Sequence, residues 1–176
     1  GGPPAVIVSS SLYPASMRFA PIRLATVSVR RNPTSFASRA KTLSYLDSVL
    51  AFDEAKRAGA DDALMLNVEG RVASTAMANL FAVIGGELVT PPVSEGVLPG
   101  IMRGAVLEEA PRAGLRAVER AIGTNELFAA DAVFATNSVR LVMPVTAVDG
   151  RETAGKDDRA ERIAALVARS CGATAP

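Results

Sequence analysis

The stretches Asp62–Ser74, DALMLNVEGRVAS, and Asn79–Pro91, NLFAVIGGELVTP, have the same form. Each consists of an apolar run, a tight turn and a second apolar run, with the turns at Glu69-Gly70 and Gly85-Gly86. Short apolar runs joined by glycine turns are typical of β-hairpins. The two stretches therefore predict paired strands of a mixed or antiparallel sheet.

Further strands are predicted on both sides of these hairpins. We expect two β-rich segments, 4–14 and 19–32, to form one edge of the sheet, residues 115–122 to add a strand, and residues 132–150 to form a strand pair broken at Asn137-Ser138. The predicted helices are one after Lys41, one between Pro99-Gly100 and Pro111, a short one capped by Thr124, and one beginning at Asp157 and Asp158.

The helix after Lys41 carries an apolar stripe that we expect to face inward, and Gly59 should end it. The stripe comprises Leu43, Leu46, Val49, Leu50 and Ala55. Because helices and strands are intermixed rather than strictly alternating, the sequence favours an α+β fold over a doubly wound parallel sheet.

The composition excludes several classes of function. The 176 residues are 49% hydrophobic, with a net charge of +1, which argues against nucleic acid or an anionic membrane as the partner. The absence of histidine excludes any mechanism that needs imidazole within this chain. The single cysteine, Cys171, excludes an internal disulfide and a structural zinc site, and it favours a reducing compartment such as the cytoplasm. We expect no metal and no membrane-spanning segment. Since the start has neither Met nor a signal-peptide pattern, we expect that the chain begins in the middle of something longer.

Lys41 differs in its surroundings from the other two lysines. Lys56 and Lys156 have charged neighbours and are interpreted as surface groups, whereas Lys41 precedes an apolar helix. Partly apolar surroundings lower the pKa of a lysine, which favours imine formation with a carbonyl cofactor. A surface lysine at a helix start is the alternative interpretation.

Two other motifs suggest an anion site. Pro99-Gly100 before a helix leaves the backbone amides of Ile101 and Met102 without helical partners, although a simple turn is the alternative. In the segment Thr136–Arg140, TNSVR, small polar residues interrupt an apolar strand pair, as hydroxyl groups around a phosphate would; an ordinary turn is again the alternative.

The order of these motifs resembles the class IV aminotransferases, which are the fold-type IV pyridoxal-phosphate enzymes. A lysine helix is followed by G-x-V…N-L-F, T-P-P, L-P-G-I-x-R and N-S…P-V, over roughly residues 5–150. The family includes branched-chain and D-amino-acid aminotransferases and aminodeoxychorismate lyase. The resemblance implies that residues 1–176 form the larger C-terminal cofactor-binding domain, a mixed sheet or pseudo-barrel with flanking helices, without the small N-terminal domain. It also implies pyridoxal 5'-phosphate as cofactor, an amino acid and a 2-oxo acid as substrates, and a homodimer.

The resemblance assigns roles to individual residues. Lys41 matches the Schiff-base lysine, which also moves the proton, and Tyr45 matches the residue that bonds the 3′ oxygen of the cofactor. The phosphate site is matched by Gly100, Ile101 and Met102 at the helix start and by Asn137 and Ser138.

Two positions depart from the family's pattern. Ser74 stands where the aminotransferases have a glutamate facing the pyridine nitrogen, and Met102 stands where relatives often have threonine. A hydroxyl group in place of the carboxylate makes the cofactor a weaker electron sink. The resemblance thus favours an aminotransferase, with aminodeoxychorismate lyase and a catalytically impaired relative as alternatives.

Overall fold

The computed structural model describes residues 6–153 and 157–174. Its strands are β1 (Ile22–Thr26), β2 (Asp62–Leu66), β3 (Val72–Thr75), β4 (Asn79–Ile84), β5 (Glu87–Thr90), β6 (Arg116–Glu119), β7 (Ala132–Asn137), β8 (Leu141–Val148) and β9 (Arg151–Glu152). Its helices are α1 (Phe36–Arg39), α2 (Leu46–Arg57), α3 (Ile101–Glu109), α4 (Thr124–Ala129) and α5 (Asp158–Ser170). Lys156 lies outside the described residues.

Six strands form a closed barrel in the order β3-β2-β1-β8-β7-β4, and β4 pairs with β3 to complete the ring. β1 runs parallel to β2 and β8, while the other pairs within the ring are antiparallel. β5 and β6 extend the sheet from β4, and β9 pairs with β8. The mixed α+β fold with a barrel and flanking helices is therefore confirmed.

Both predicted hairpins are present, as β2-β3 and β4-β5, and the strand pair broken after Asn137 is β7-β8. The predicted edge is wrong. β1 lies between β2 and β8, and residues 6–14 form no strand. Ile22 and Leu24 explain the central position of β1, because both side chains are at most 2% exposed inside the barrel.

The apolar strands are buried on both faces. Along β4, Leu80 and Ala82 point into the barrel, whereas Phe81 and Val83 point outward beneath α3 and α5. Phe81 stacks on Phe134 of β7 with ring centroids 5.2 Å apart. Burial on both faces explains why these strands are continuously apolar in the sequence instead of alternating.

The orientation of α2 differs from the prediction. Its buried residues are the small ones, Ser48, Ala51 and Ala55, which pack on β1 and β2. The predicted inward stripe is wrong for its four large members, which are exposed: Leu43, Leu46, Val49 and Leu50. Small side chains let the helix lie close to the sheet, so its larger apolar residues are left on the outer face.

The ends of the other helices agree with the prediction in part. Gly59 follows α2 with a φ of 77°, and α3 begins directly after Gly100, both as expected. α3 ends at Glu109, just before Pro111, as expected, although a short 3-10 helix follows from Ala110 to Ala113. Thr124 is the first residue of α4 rather than its cap, which is Gly123. The Glu126 carboxylate accepts a 3.0 Å hydrogen bond from the amide of Gly123.

α5 packs on the barrel with Ile163 and Val167 fully buried, while Leu166 is only partly buried. The Asp157 carboxylate caps the helix by accepting a 2.8 Å hydrogen bond from the amide of Arg159. Within the described part of the chain, no helix has the length and apolar character that crossing a bilayer requires.

Candidate functional site

A cavity of about 580 Å³ opens on the outer face of the barrel. It lies between the start of α3, the segment that precedes α2, and the β7-β8 turn. All eight residues that the sequence analysis selected line this cavity: Lys41, Tyr45, Ser74, Gly100, Ile101, Met102, Asn137 and Ser138. Cavities of this volume accommodate small molecules.

Lys41 and Tyr45 form one side of the cavity. The Lys41 Nζ atom lies 4.8 Å from the centroid of the Tyr45 ring, and the Tyr45 hydroxyl donates a 3.4 Å hydrogen bond to the carbonyl of Ala76. Lys41 is exposed at the rim, so the apolar surroundings expected from the sequence are not provided. The exposed amine is accessible to a ligand that enters the cavity.

Three polar side chains form the floor of the cavity in one row across neighbouring strands. Ser74 of β3 pairs with Asn79 of β4, and Asn79 pairs with Thr136 of β7. These side chains are 6%, 6% and 1% exposed, respectively. Directly paired residues on adjacent strands share a face, so the row faces the cavity.

A β-bulge turns Ser74 toward this face. Met65 pairs with Ser74 and Leu66 pairs with Val72, which leaves Ala73 as the extra residue on β3. Without the bulge, Ser74 would share the barrel interior with Val72, because alternate residues of a regular strand share a face. Bulges commonly redirect side chains next to functional sites.

The start of α3 approaches the same floor. Asn79 Nδ2 donates a 2.8 Å hydrogen bond to the carbonyl of Leu98, which holds the Pro99-Gly100 turn against β4. A Cβ atom at Gly100 would overlap Asn79 Oδ1, so a larger residue there would displace the Asn79 side chain or the helix start. Because Gly100 caps α3 without a side chain, the first amides of the helix remain available to an anion.

The β7-β8 turn contributes Asn137 and Ser138. Asn137 Oδ1 accepts hydrogen bonds from the amides of Val139 and Arg140, at 3.1 and 2.8 Å, so the asparagine side chain shapes the turn. Ser138 is exposed at the tip, and its side chain therefore faces the opening.

The charges around the cavity are cationic. Arg31, Arg39 and Lys41 line it, and no Asp or Glu is among the described lining residues. A buried acid, Asp62, contacts the lining residue Ala76, because its Oδ1 accepts hydrogen bonds from the amides of Ala63 and Ala76. Burial raises the pKa of Asp62, against the lowering effect of these hydrogen bonds. The cavity thus favours a small anion.

Arg31 is the most enclosed of the three cations. Its Nη2 donates a 3.0 Å hydrogen bond to the Ser48 hydroxyl, while its buried Nε has no partner in the described structure. Burial lowers the pKa of Arg31, and the nearby Tyr45 and Asp47 oppose that shift. The guanidinium therefore lies between the cavity and the start of α2.

A buried ionic cluster supports the loop that leads to α3. The Glu95 carboxylate is 7% exposed and accepts hydrogen bonds from Asn67 Nδ2 at 2.6 Å and from Arg71 Nε at 2.7 Å. The hydrogen bonds with Glu95 raise the pKa of Arg71. Next to it, a Cβ atom at Gly96 would come within 3.2 Å of the Pro33 backbone. The loop before α3 is thereby packed against the segment that leads to Lys41.

The sequence analysis missed Arg31, Arg39 and Asn79 as lining residues, and it included Thr136 in the candidate phosphate segment 136–140 without giving it a role of its own. Asn79 and Thr136 had a signal, since each is a polar residue next to an apolar strand run. The arginines had none, because sixteen arginines occur along the chain and nothing local distinguishes these two. The described residues contain no group of three or more His, Cys, Asp or Glu side chains placed to hold a metal ion.

Comparison with known proteins identifies the family. The family model for amino-transferase class IV matches residues 1–148. A relative from Methanocaldococcus jannaschii, provisionally named branched-chain-amino-acid aminotransferase, is 41% identical over 131 residues, which are 74% of this chain and 46% of the relative. The chain belongs to the class IV aminotransferases. It spans about half the length of the curated relatives that it matches, or less.

Solved structures have the same fold. A protein from Legionella pneumophila, provisionally named 4-amino-4-deoxychorismate lyase, superposes with a TM-score of 0.83 at 29% identity, covering 89% of this chain and 59% of the other. An aminotransferase from Brucella abortus bound to the co-factor PLP gives a TM-score of 0.79 at 30% identity, covering 87% of this chain and 55% of the other. The barrel and its helices are therefore those of this family.

Proposed function

We propose that residues 1–176 form the cofactor-binding domain of a pyridoxal-phosphate-dependent aminotransferase, which exchanges an amino group between an amino acid and a 2-oxo acid. The observation that carries the proposal is the single cavity in which an accessible lysine amine, Lys41, and an uncapped helix start, at Gly100, meet. Pyridoxal phosphate has an aldehyde that an amine can bond and a phosphate that such a helix start can hold.

The residues present fit this cofactor. The close approach of Gly100 to Asn79 forms a cradle that a side chain would fill, and Thr136 presents a buried hydroxyl without a partner. Three cations and no described acid line the cavity, which suits a phosphate ester and a substrate carboxylate.

Each residue has a proposed role. Lys41 would attach to the aldehyde carbon and then hold and move the proton at that carbon. Tyr45 would donate to the 3′ oxygen, and the amides of Ile101 and Met102, with Asn137 and Ser138, would hold the phosphate. Ser74 would face the pyridine nitrogen. When bound, the cofactor supplies the electron sink that labilises the bonds at the substrate α-carbon.

A lyase is the second candidate function, namely elimination of pyruvate from aminodeoxychorismate. It is supported by the similarity to the Legionella protein over 89% of the chain. Product analysis separates the two: a transaminase needs a 2-oxo acid acceptor, whereas a lyase releases pyruvate without one.

Borohydride reduction tests the cofactor and the lysine together. The folded, purified chain is incubated with pyridoxal phosphate, reduced and digested, and the peptides are mapped by mass. We expect a pyridoxyl group on Lys41, no label in Lys41→Ala or Lys41→Arg, and no turnover in either variant, because arginine is too basic to form the bond.

Lys56 provides the matched control, since its Nζ also lies over an aromatic ring, 5.9 Å from the centroid of Phe52, but outside the cavity. The Lys56→Ala variant should be labelled on Lys41 like the wild type. A pyridoxyl group found on Lys56 and lost in Lys56→Ala would contradict the proposal. The absence of any label on a folded sample would also contradict it and would favour the catalytically impaired relative.

We further propose a cytoplasmic homodimer, as the resemblance implies. The exposed apolar residues of α2, Leu46, Val49 and Leu50, and Leu43 in the segment before it support the dimer, because an exposed apolar patch commonly marks an interface. The free cysteine, Cys171, supports a reducing compartment.

A further inference from the structure

Thr136 has a hydroxyl for which the described structure offers no hydrogen-bond partner. The residue is 1% exposed, and its Oγ1 is one of three buried side-chain polar atoms without a partner among the described residues. A buried hydroxyl without a hydrogen bond is unfavourable by roughly 1–3 kcal/mol, so such groups are rare unless a ligand completes them.

The other buried threonines have partners. Thr90 Oγ1, in a residue that is 0% exposed, donates a 2.7 Å hydrogen bond to the carbonyl of Leu80. Thr75 Oγ1 accepts a 2.8 Å hydrogen bond from the amide of Ala78. The free hydroxyl of Thr136 is thus a local feature of the cavity and not a general property of buried threonines in this barrel.

The position of Thr136 indicates which part of a ligand it would meet. It pairs with Asn79, which holds the Gly100 turn, and it precedes Asn137 and Ser138. Ser74 lies two strands away, at the other end of the row. Helix α3 packs against β7, so Thr136 is on the side of the floor nearer to the α3 start. Its side chain lines the cavity, where a bound ligand would meet it.

We propose that the Thr136 hydroxyl is a further binding residue, which donates a hydrogen bond to the phosphate group of the cofactor. This inference rests on the proposed function. The contact satisfies the hydroxyl that the described protein leaves unpaired, and the ligand receives a hydrogen-bond donor from a buried residue.

Isosteric replacement tests the contact, with two ligands that differ only in the phosphate. The dissociation constants of pyridoxal phosphate and pyridoxal are measured by absorbance titration of the wild type, Thr136→Val and Thr136→Ser. We expect Thr136→Val to weaken the binding of pyridoxal phosphate about tenfold, as for one lost hydrogen bond to a charged group. The affinity for pyridoxal should stay unchanged within about twofold. Thr136→Ser should keep the wild-type ratio of the two constants.

The ligand-free thermal midpoint provides a second readout. Thr136→Val should not lower it, because the substitution removes an unpaired buried hydroxyl. The control, Thr90→Val, should lower it, because that hydroxyl is paired, and should leave the ratio of the two dissociation constants unchanged.

The outcomes separate this inference from the proposed function. If the wild type takes up no pyridoxal phosphate, both are wrong. Suppose instead that the wild type binds it, and that Thr136→Val weakens the binding of both ligands equally or changes neither affinity. The proposed function then stands, and the phosphate contact is wrong.

Discussion

Ser74 is the residue at which this cavity departs most from the pattern of the family it belongs to. The bulge on β3 presents its side chain to the cavity, where the resemblance implies a glutamate. Its hydroxyl donates a 2.8 Å hydrogen bond to the carbonyl of Thr75, and no described lining residue supplies a carboxylate instead. A ring nitrogen bound there would have no acid to keep it protonated.

Replacing Ser74 with glutamate should therefore raise transaminase activity or slow the loss of the cofactor. The carboxylate would stabilise a protonated ring nitrogen and strengthen the electron sink. Half-reaction rates and the rate of cofactor release during dialysis measure the two effects. If neither changes, residue 74 does not face the ring nitrogen.

Asp62 predicts a pH dependence of stability. Burial raises its pKa in the folded state, so the fold favours the protonated carboxyl group. This contribution is fully present below the ordinary aspartate pKa of about 3.9 and is lost as the pH rises through the higher folded value. Compared with Asp62→Asn, the wild type should lose stability as the pH rises above the ordinary aspartate pKa, as thermal midpoints at several pH values would show.

Asp157 provides a control of opposite sign. Hydrogen bonding to Arg159 lowers its pKa, so its contribution is present above the ordinary aspartate pKa and is lost as the pH falls through the lower folded value. Asp157→Asn should therefore cost stability near neutral pH and less in acid. Equal pH profiles for the two variants would rule out this assignment of charge states.

At this scale, the sequence predicts residues with distinctive chemistry and misses those defined only by packing. Lys41 was identifiable because it is one of three lysines and lacks charged neighbours. The unpaired state of the Thr136 hydroxyl and the enclosure of Arg31 were not predictable, since they exist only once β7 and the start of α2 are in place.

Among the elements, α3 shows best how local sequence positions the site. Pro99-Gly100 fixes its start, and Arg103, which is 6% exposed, ties it to the carbonyl of Pro91 and to Glu119. The beginning of the helix was predictable because proline and glycine have strong local effects. The inward face of α2 was not, because an apolar stripe does not reveal whether the barrel or another surface covers it.

The contact between α3 and β4 predicts an energetic coupling of two substitutions. Gly100→Ala should weaken the binding of pyridoxal phosphate about tenfold, because the new methyl group overlaps Asn79 Oδ1 and displaces the helix start. In the Asn79→Ala background, Gly100→Ala should lower the affinity much less. Titration of the two single variants and the double variant measures this cycle.

Gly104 is the matched control in the same helix. A Cβ atom there meets nothing within 4 Å, so Gly104→Ala should leave the affinity unchanged and, by helix propensity, add up to about 1 kcal/mol of stability. If the effects of the Gly100 and Asn79 substitutions on the binding free energy are additive, the two residues are not coupled, and the proposed contact between them is wrong.

For the whole molecule, the exposed face of α2 predicts the response of the proposed homodimer to a charge. Leu46 is 66% exposed, so Leu46→Glu should leave the fold intact while placing a charge in an apolar contact. Light scattering coupled to gel filtration should show a shift from the mass of two chains to that of one.

Val68→Glu is the control, because Val68 is 61% exposed but lies in the β2-β3 turn and not on α2. It should leave the mass of the assembly unchanged. A dimer that survives Leu46→Glu would place the interface elsewhere.

The closed barrel also determines when the site can form. β1 near residue 22 pairs with β8 near residue 145, so the ring closes only after most of the chain has been made. Contacts so distant in sequence slow folding, because closing the long loop between them lowers the chain entropy before the stabilising contacts form. The cavity draws its floor from β3, β4 and β7 and its rim from the starts of α2 and α3. During synthesis on the ribosome, cofactor capture should therefore be among the last events, and nascent chains ending before β8 should not acquire it.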